Sequence, residues 1–353
     1  MKKRILLFIG AVLGAVLLLL AGLIAFLSAT EYNPAPVQDA EHVVSADGTL
    51  PVGQSLTVCS WNIGYGGLGR ESDFFMDGGS MVDPPSQETV QKNLEGIRAL
   101  IANNPADVWL FQEVDVDSER TGHQNQFPIL LNSVQGLGAL AYNYDCPFVP
   151  IPLPPIGAVE SGIATVTGSL KTIGTPQRIS LPCPFSWPVR TANIKRCLLV
   201  TRVQVENSPR ELVLINLHLE AYESGEGRIA QTRQLMELMQ AEYEKGNYVI
   251  AGGDFNQTFP GALDIYPILD SEKWTPGVLE ESILPEGWQF ALDSSTPTCR
   301  LLDAPLSEDN QRYVIDGFIL SPNVRPDRVE TLDGEFEYSD HNPVRLEVTL
   351  LDE

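Results

Sequence analysis

Basic residues and cysteines are scarce in this chain of 353 residues. It has 23 Lys and Arg against 46 Asp and Glu, which gives a formal net charge of −23 at pH 7. Because tight binding to DNA or RNA needs basic side chains that neutralise phosphates, this balance disfavours high-affinity nucleic-acid binding. The five cysteines are too few for a disulfide scaffold, and none forms a CxxC pair, which argues against a zinc or redox site.

Several enzyme motifs are also missing. The sequence has no GxxxxGK[ST], no GxSxG and no HExxH. A P-loop NTPase, a nucleophile-elbow esterase and a thermolysin-like zinc protease therefore lose their usual support. The chain is nevertheless 43% hydrophobic, which is enough for a sizeable folded core.

The first 30 residues contain a long stretch without charge. Residues 5–29 have no charged side chain, and the basic run 2–4 precedes them. A helix of this length can cross a hydrocarbon core of roughly 30 Å, whereas the apolar part of a signal peptide usually has about 7–15 residues. We expect an uncleaved single-pass anchor in the cell membrane, with the following residues outside the cytoplasm. A cleaved, secreted protein is the alternative.

The rest of the chain divides by composition. Residues 31–55 are rich in Pro, Gly and small polar residues, which is typical of a linker. From residue 56 to residue 353, strand-like and helix-like segments alternate, which predicts one α/β domain of sheets covered by helices. The anchor then occupies residues 1–30, the linker 31–55 and the catalytic domain 56–353.

The segment 137–196 is rich in proline, and we expect a surface loop insertion there. The alternative is that its apolar side chains form an exposed rim that touches a lipid surface. These side chains are Phe148, Val149, Ile151, Leu153, Ile156 and Trp187.

Two polar residues follow apolar, strand-like runs. Asn62 ends TVCSWN, and Glu113 follows DVWLFQ. Carboxylate and amide oxygens from neighbouring strand ends suit hard cations such as Mg²⁺, Mn²⁺ or Ca²⁺. On its own, Glu113 would be interpreted as a solvated acid at a strand end.

His218, Asp254 and Asn256 occupy similar positions. His218 interrupts the apolar alternation of LVLINLHLEAY, where a lone His is more often a satisfied core residue. Asp254 and Asn256 end the apolar run VIAGGDFN and are two residues apart, so they project to one side. Asn256 also begins a glycosylation sequon, but its place beside Asp254 favours a role in a site.

A third pair joins distant segments. Asp316 lies among apolar residues in YVIDGFIL, and a buried charge of this kind needs a partner. His341 in YSDHNP is a suitable partner, because a buried Asp fixes the tautomer of an imidazole and raises its pKa. Asp340 then remains free to face a metal ion or the attacking water.

Taken in order, WNIG, FQEVD, NLHLEAY, GGDFN, VIDGF and SDHNPV resemble the signature segments of the endonuclease/exonuclease/phosphatase superfamily. The resemblance spans residues 57–350. It implies a deoxyribonuclease I-like fold, which is a four-layer sandwich of two packed β-sheets flanked by helices. Here that domain would follow one N-terminal transmembrane helix. This sequence departs from many members of the superfamily at Gly64, where those members carry an acidic residue.

The resemblance also implies roles for individual residues. Glu113 would be the main metal ligand, with Asn62 beside it and Asp340 as a further ligand. Asp254 would orient or deprotonate the attacking water, and Asn256 would donate to phosphoryl oxygens. His218 would contact the phosphate or assist the leaving group, and His341, held by Asp316, would act as base or electrostatic stabiliser.

We therefore expect a monomeric, membrane-anchored phosphoesterase that uses Mg²⁺, or else Mn²⁺ or Ca²⁺. Its substrate would be a phosphodiester or phosphomonoester of a lipid or of a small phosphorylated compound. An extracellular nuclease is the first alternative. A non-catalytic binding module on the same fold is the alternative from another class.

Overall fold

The computed structural model describes residues 2–43, 47–223 and 225–352, and within them two β-sheets pack face to face. The helices are α1 (Lys2–Ala29), α2 (Gln87–Asn103), α3 (Phe127–Val134), α4 (Glu226–Glu244) and α5 (Ala262–Ile265). The strands are β1 (Val37–Asp39), β2 (Glu41–Val43), β3 (Ser55–Asn62), β4 (Val108–Asp115), β5 (Gly138–Val149), β6 (Gly157–Val166), β7 (Gln177–Ser180), β8 (Cys197–Gln204), β9 (Glu211–His218), β10 (Tyr248–Asp254), β11 (Gln257–Thr258), β12 (Gly277–Val278), β13 (Gln289–Ala291), β14 (Cys299–Arg300), β15 (Arg312–Tyr313), β16 (Asp316–Leu320), β17 (Val324–Thr331) and β18 (Val344–Leu350).

Each large sheet has seven strands in the described part of the chain. The first sheet has the order β1-β7-β8-β9-β10-β16-β13, and the second has the order β17-β18-β3-β4-β6-β5-β2. Two short pairs, β11-β12 and β14-β15, lie outside them. Both large sheets are mixed, because β9 and β10 run parallel, as do β3 and β4, among antiparallel neighbours.

Alternation along single strands places the two faces of each sheet in different cores. On β3, Leu56 and Val58 belong to the core between the sheets, whereas Cys59 and Trp61 pack under α2 and α3. Helix α4 covers the outer face of the first sheet through residues such as Leu235. The result is the expected four-layer, deoxyribonuclease I-like sandwich.

Residues 31–55 differ from the expected linker. Strand β1 pairs with β7 at the edge of the first sheet, and β2 pairs with β5 at the edge of the second. Leu50 is buried in the core between the sheets. Strands of three residues have too little periodicity to be recognised, because their hydrogen bonds to a neighbouring strand stabilise them rather than their own side-chain pattern.

The proline-rich segment also differs from the expected loop insertion. It contains β5, β6 and β7, and β6 lies inside the second sheet between β4 and β5. The prolines are concentrated in residues 150–156, which join β5 to β6, and in residues 181–188 after β7. Pro147 lies within β5 at a register shift between Cys146 and Val149. Proline excludes a strand only where prolines are dense, so the expectation of a loop is wrong for β5, β6 and β7, which lie outside these two clusters.

Helix α1 covers the charge-free run as expected, and it is long and apolar enough to cross a membrane. An N-terminal signal sequence can have the same length and apolar composition, so membrane anchoring stays a prediction. The five cysteines, all among the described residues, are free, and Cys59 is buried in the core as expected.

An ion network around the buried carboxylate of Glu242 joins α4 to the first sheet and supports a prediction about stability. Arg202 donates to both carboxylate oxygens of Glu242 at 2.9 and 2.7 Å, and Asn247 and Lys245 donate at 2.9 and 2.8 Å. Burial raises the pKa of Glu242, but these partners outweigh it and lower the pKa from 4.5 to about 2. The stability that this carboxylate contributes is therefore complete above pH 4.5 and disappears as pH falls through 2.

We expect Glu242→Gln to lower the free energy of unfolding by about 2 kcal/mol at pH 7, because it removes one charge of a buried pair. The loss should shrink as the pH approaches 2. Denaturant titrations followed by tryptophan fluorescence in detergent measure it, and Glu244→Gln on the exposed side of α4 is the control. Equal stability of the two variants at pH 7 would contradict the prediction.

Candidate active site

The candidate active site lies where β9 and β10 end and β16 begins. Asp254, the last residue of β10, is directly paired with His218 on parallel β9 and with Asp316 on antiparallel β16. Side chains of directly paired residues project to the same face of a sheet. Three predicted site residues therefore share one row at the end of the first sheet.

The second sheet supplies Asn62 and Glu113. The Asn62 Nδ2 atom donates to Glu113 Oε1 and to Asp254 Oδ2, both at 3.1 Å, so this amide joins carboxylates from the two sheets. Its Oδ1 accepts from the backbone N–H of Gly64 at 3.0 Å. The amide nitrogen thus faces the carboxylates, and coordination of a cation through Oδ1 requires the amide to rotate by half a turn.

Both the backbone conformation and the surroundings of position 64 require a glycine. Its φ is +50°, and a Cβ there would lie 2.9 Å from Asp340 Oδ1. An acid at this position would therefore bring both backbone strain and a steric conflict with Asp340.

Two site residues adopt backbone conformations that are rare for residues with a side chain. Glu113 has φ +54° at the register shift in β4 between Phe111 and Val114, and Asn256 has φ +50°. Bulges re-aim side chains, and such strain clusters at functional sites. The backbone N–H of Asn256 donates to Asp254 Oδ1 at 2.8 Å, and its Nδ2 donates to the Leu219 carbonyl at 2.9 Å. Asn256 is only 5% exposed, so in the folded domain the sequon is closed to a glycan.

The loop before β18 is fixed against β3. Ser339 Oγ donates to the Asn62 carbonyl at 2.8 Å, and Trp61 Nε1 donates to the His341 carbonyl at 2.8 Å. These two bonds bring Asp340 and His341 to the end of the second sheet. Asp340 and His341 are thus held at the site by side-chain hydrogen bonds to backbone carbonyl groups.

His341 and Asp316 form the expected buried pair. The His341 Nδ1 atom lies 2.8 Å from Asp316 Oδ2, and its Nε2 lies 3.7 Å from Asp254 Oδ2 and 3.9 Å from Asp340 Oδ2. Burial opposes protonation, but the surrounding charges, with Asp316 first, raise the pKa of His341 well above 6.5. The imidazole is thus oriented by one acid and points its second nitrogen at two others.

The pKa values of the three acids Glu113, Asp254 and Asp340 are all raised, because the acids are buried and nearby positive charges do not fully compensate their negative charges. Burial raises the pKa of Glu113. Burial and the charge of Asp316 raise the pKa of Asp254 to about 6, and burial and Glu113 raise the pKa of Asp340 to about 7, although His341 lowers both. Oxygen donors that crowd together in this way suit Mg²⁺, Mn²⁺ or Ca²⁺. The donor set therefore fits a divalent cation.

Another group of potential ligand atoms lies beside these acids. One ligand atom each of Asp254, Asp316 and His341 lies within 4.8 Å of the other two. The Asp316 Oδ1 atom is buried and has no hydrogen-bond partner among the described residues. A buried carboxylate oxygen in this state is costly unless something else binds it.

His218 lies between the carboxylates of the two sheets. Its Nε2 is 3.4 Å from Asp254 Oδ2 and 3.9 Å from Glu113 Oε1. Burial lowers the pKa of His218 well below 6.5, and the charges of Arg196 and His341 lower it further. The two histidines therefore differ in charge at neutral pH, with His218 neutral and His341 protonated.

These residues border a cleft of about 240 Å³. Six of the eight predicted residues line it, namely Glu113, His218, Asp254, Asn256, Asp340 and His341. The other two, Asn62 and Asp316, lie directly behind and are hydrogen bonded to lining residues. The structure thus brings all eight together, while their individual roles stay predictions.

The cleft also contains residues that the sequence did not single out as site residues. Tyr222 donates to Asp77 Oδ1 at 2.7 Å, and both line the cleft with Trp274. Arg196 lines it too, is 5% exposed, and has buried Nε and Nη1 atoms without a hydrogen-bond partner in the described chain. Its nearest acid is Glu220, at 3.8 Å from Nε. Charged or aromatic residues beside apolar runs were the only available signals, and they are common in every protein.

A deoxyribonuclease I-like sandwich whose strand ends carry this set of acids and histidines is the architecture of a phosphoester hydrolase. The sequence profile of the Endonuclease/Exonuclease/phosphatase family matches residues 59–341, and the chain belongs to this family. Members of the family hydrolyse phosphoesters and depend on divalent metal ions. The family resemblance of the six sequence segments is thereby confirmed.

Solved structures agree on the fold. An endonuclease/exonuclease/phosphatase from Beutenbergia cavernae has a TM-score of 0.57 at 17% identity, over 84% of this chain and 72% of that chain. The human Nocturnin catalytic domain with a bound sulfate anion has 0.52 at 17% identity, over 84% and 93%. ANGEL2, a 2′,3′-cyclic phosphatase in complex with adenosine-2′,3′-vanadate, has 0.51 at 15% identity, over 88% and 99%. A search among curated proteins found no match.

Proposed function

We propose that this protein is a membrane-anchored hydrolase that cleaves phosphoesters outside the cytoplasm with Mg²⁺, or else Mn²⁺ or Ca²⁺, as its cofactor. The observation that carries the proposal is that three acids and two histidines line one cleft, with a fourth acid, Asp316, bonded to His341 behind it. Residues 1–30 are the anchor, and residues 56–353 are the catalytic domain, which β1 and β2 complete at its edges. The basic residues before the apolar run keep the N-terminus in the cytoplasm.

The acids of the site have two different roles in the proposed reaction, cation binding and proton acceptance. Glu113 and Asp340 would hold the cation, with Asn62 beside them, and a cation held there would supply positive charge that offsets the negative charge on the phosphoryl oxygens. Asp254 accepts the proton of the attacking water. This assignment suits Asp254, because Asn62 and the Asn256 backbone fix its two oxygens in place.

The remaining residues bind the phosphoryl group. Asn256 Nδ2 gives one hydrogen to Leu219 and keeps the other for a phosphoryl oxygen. His341, fixed on Asp316, donates from Nε2 to a phosphoryl oxygen and stabilises its charge in the transition state. Neutral His218 contacts the phosphate and assists the leaving group.

The test is a hydrolysis panel with the full chain purified in detergent. Bis-p-nitrophenyl phosphate, p-nitrophenyl phosphate, inositol phosphates and plasmid DNA are the substrates, each with and without EDTA. We expect hydrolysis of at least one small ester that EDTA abolishes and Mg²⁺ restores. Glu113→Gln should be inactive, and Glu95→Gln on the exposed face of α2 should match the wild type.

Equal hydrolysis by wild type, Glu113→Gln and the EDTA-treated protein would overturn the proposal. DNA cleavage at low salt with no hydrolysis of small esters would instead assign the chain to the nucleases. Binding of phosphate without any turnover would support the non-catalytic alternative.

Arg196 gives a separate prediction. Arg196 lines the cleft, and its guanidinium has two buried nitrogens without a hydrogen-bond partner in the described chain, so its positive charge is available to an anion in the cleft. A hydrogen bond to a charged group contributes about 1.5–3 kcal/mol. We expect Arg196→Gln to raise KM for bis-p-nitrophenyl phosphate by about tenfold or more, since about 1.4 kcal/mol corresponds to a factor of ten. Arg196→Lys should recover part of the loss, because it keeps the charge.

Steady-state kinetics and inhibition by inorganic phosphate measure this effect. Arg325→Gln, at an exposed arginine of β17 that does not line the cleft, is the matched control. An unchanged KM together with unchanged inhibition by phosphate would show that Arg196 has no contact with the anion.

A further inference from the structure

The end of helix α1 is part of the folded domain. Leu23 and Leu27 pack in one apolar cluster with Cys146, Val149 and Val159 of the β5–β6 hairpin. Ser28 Oγ accepts a hydrogen bond from Trp187 Nε1 at 3.0 Å. The helix therefore ends against the β5–β6 hairpin and the segment that connects β7 to β8.

The residues that follow α1 are held against the domain by ion pairs and strand pairing. Glu31 lies 3.3 Å from Arg190 Nε and 3.2 Å from Lys195 Nζ. A few residues later β1 pairs with the first sheet and β2 with the second. The exit of the helix is thus tied to the edges of both sheets, and the domain cannot stand far from it.

The position of the helix relative to a bilayer follows from its exposure. Residues 5–22 have no buried side chain, and contact with the domain begins at Leu23. Eighteen residues at about 1.5 Å each span about 27 Å, close to the hydrocarbon thickness of roughly 30 Å. The outer boundary of the hydrocarbon would therefore lie where the helix meets the domain.

Four large apolar side chains are exposed at this end of the domain, and we call them the apolar rim. Ile151 and Leu153 lie between β5 and β6, and Trp187 and Val189 lie between β7 and β8. Their exposed fractions are 73%, 88%, 58% and 57%. Apolar side chains this exposed on two adjoining connections are typical of a surface that contacts protein or lipid.

The apolar cluster at the end of α1 and the cleft have one residue in common. Ile156 belongs to the apolar cluster at the helix end and also lines the cleft. Tyr144 of β5 and Phe185 and Ile194 of the β7–β8 connection also line the cleft. The mouth of the active site is therefore next to the point where α1 enters the domain.

We propose that the apolar rim docks on the membrane that α1 enters, and that the cleft hydrolyses a phosphoester in the headgroup of a membrane lipid. The bilayer is the occupant because the rim is continuous with the one helix of the described chain that is long and apolar enough to cross it. This inference rests on the proposed function. Water adds to phosphorus, one P–O ester bond breaks, and the leaving oxygen takes a proton.

The test uses the full chain reconstituted in vesicles of phosphatidylcholine, phosphatidylglycerol and sphingomyelin. The rim variant carries Ile151→Ser and Leu153→Ser, two changes at exposed side chains that leave the core intact. The matched control carries Ile265→Ser and Leu269→Ser, which are also exposed but lie away from the cleft. Release of phosphorylated products is measured beside hydrolysis of bis-p-nitrophenyl phosphate by the same samples.

We expect the rim variant to lose at least tenfold in lipid hydrolysis, while its hydrolysis of the soluble ester stays within twofold of the control. Lipid with a doxyl label on its acyl chain should also quench Trp187, measured as the difference from Trp187→Phe. Soluble-ester hydrolysis without any lipid hydrolysis would overturn this inference and leave the proposed function standing. No hydrolysis of either would overturn both.

Two other results would overturn docking on lipid. The first is equal lipid hydrolysis by the rim variant and its control. The second is a change of oligomeric state in the rim variant, seen by light scattering in detergent, which would make the rim a contact between copies of this chain.

Discussion

Replacing Asp254 with Asn is expected to lower kcat for bis-p-nitrophenyl phosphate by about 1,000-fold, with KM changed by less than about threefold, since a positioned base contributes about 10²–10⁴-fold. Asp254 is at the centre of the site. It is paired in register with His218 and Asp316, and it accepts hydrogen bonds from Asn62 and from the Asn256 backbone. Asparagine keeps the shape but cannot accept the proton of water.

The same substitution should stabilise the protein. Burial and the nearby Asp316 raise the pKa of Asp254 from 3.8 to about 6. A carboxyl whose pKa is higher in the folded state destabilises that state once it ionises, so its effect grows as pH rises from 4 to 6 and is complete at pH 7. A shift of about two pKa units corresponds to about 3 kcal/mol. Asp254→Asn should therefore unfold at a higher temperature than the wild type at pH 7, in metal-free buffer.

Activity and melting temperature together separate a catalytic role from a structural one. Asp264→Asn, on the exposed side of α5, is the control and should change neither quantity. An Asp254→Asn protein that melts earlier and loses activity in proportion to unfolding would show that Asp254 only holds the fold. A fully active variant would exclude Asp254 as the base.

Those site residues that lie at the ends of strands could be predicted from the sequence. Asn62, Glu113 and Asp254 each follow an apolar run, and the carboxyl ends of parallel strands meet at one edge of a sheet. Sequence spacing also identified Asp316, because an acid among apolar residues needs a partner. Its pairing with His341 joins residues 25 positions apart, and only the fold shows the 2.8 Å contact.

Other parts of the structure could not be predicted, because they depend on distant contacts. The three-residue strands β1 and β2 are stabilised by the sheet edges that they join. Strands β5 and β6 were hidden because prolines at the hairpin tip dominate the composition of the segment. Arg196 lies on a loop, and nothing in its sequence neighbourhood shows that it lines the cleft or that two of its nitrogens are buried without a hydrogen-bond partner among the described residues.

Activity and stability also conflict at the site as a whole. Glu113 and Asn256 are held at positive φ, and the pKa values of Glu113, Asp254 and Asp340 are all raised. Each feature destabilises the apo fold, and a divalent cation would relieve the electrostatic part. Since the neighbouring strands β4, β9 and β10 are almost entirely buried, the domain tolerates this local strain.

Asp316→Asn is expected to lower kcat by about 100-fold or more, as removal of electrostatic stabilisation at a reacting centre commonly does. Asp316 does not reach the substrate in this proposal, because its Oδ2 atom is bonded to His341 Nδ1 and it lies behind the cleft. Its effect acts through the imidazole, which it orients and keeps protonated. His341→Ala should therefore lose activity to a similar extent or more.

The pH profile and a double-mutant cycle test this coupling. His341 must be protonated to donate, so activity falls as pH rises through its pKa, which Asp316 holds well above 6.5. Without that charge, burial lowers the pKa of His341, and the fall in activity should move to lower pH in Asp316→Asn. The double variant should be within about threefold of His341→Ala, because residues that act as one unit are not additive. Losses that multiply, with an unmoved pH profile, would mean that Asp316 and His341 act independently.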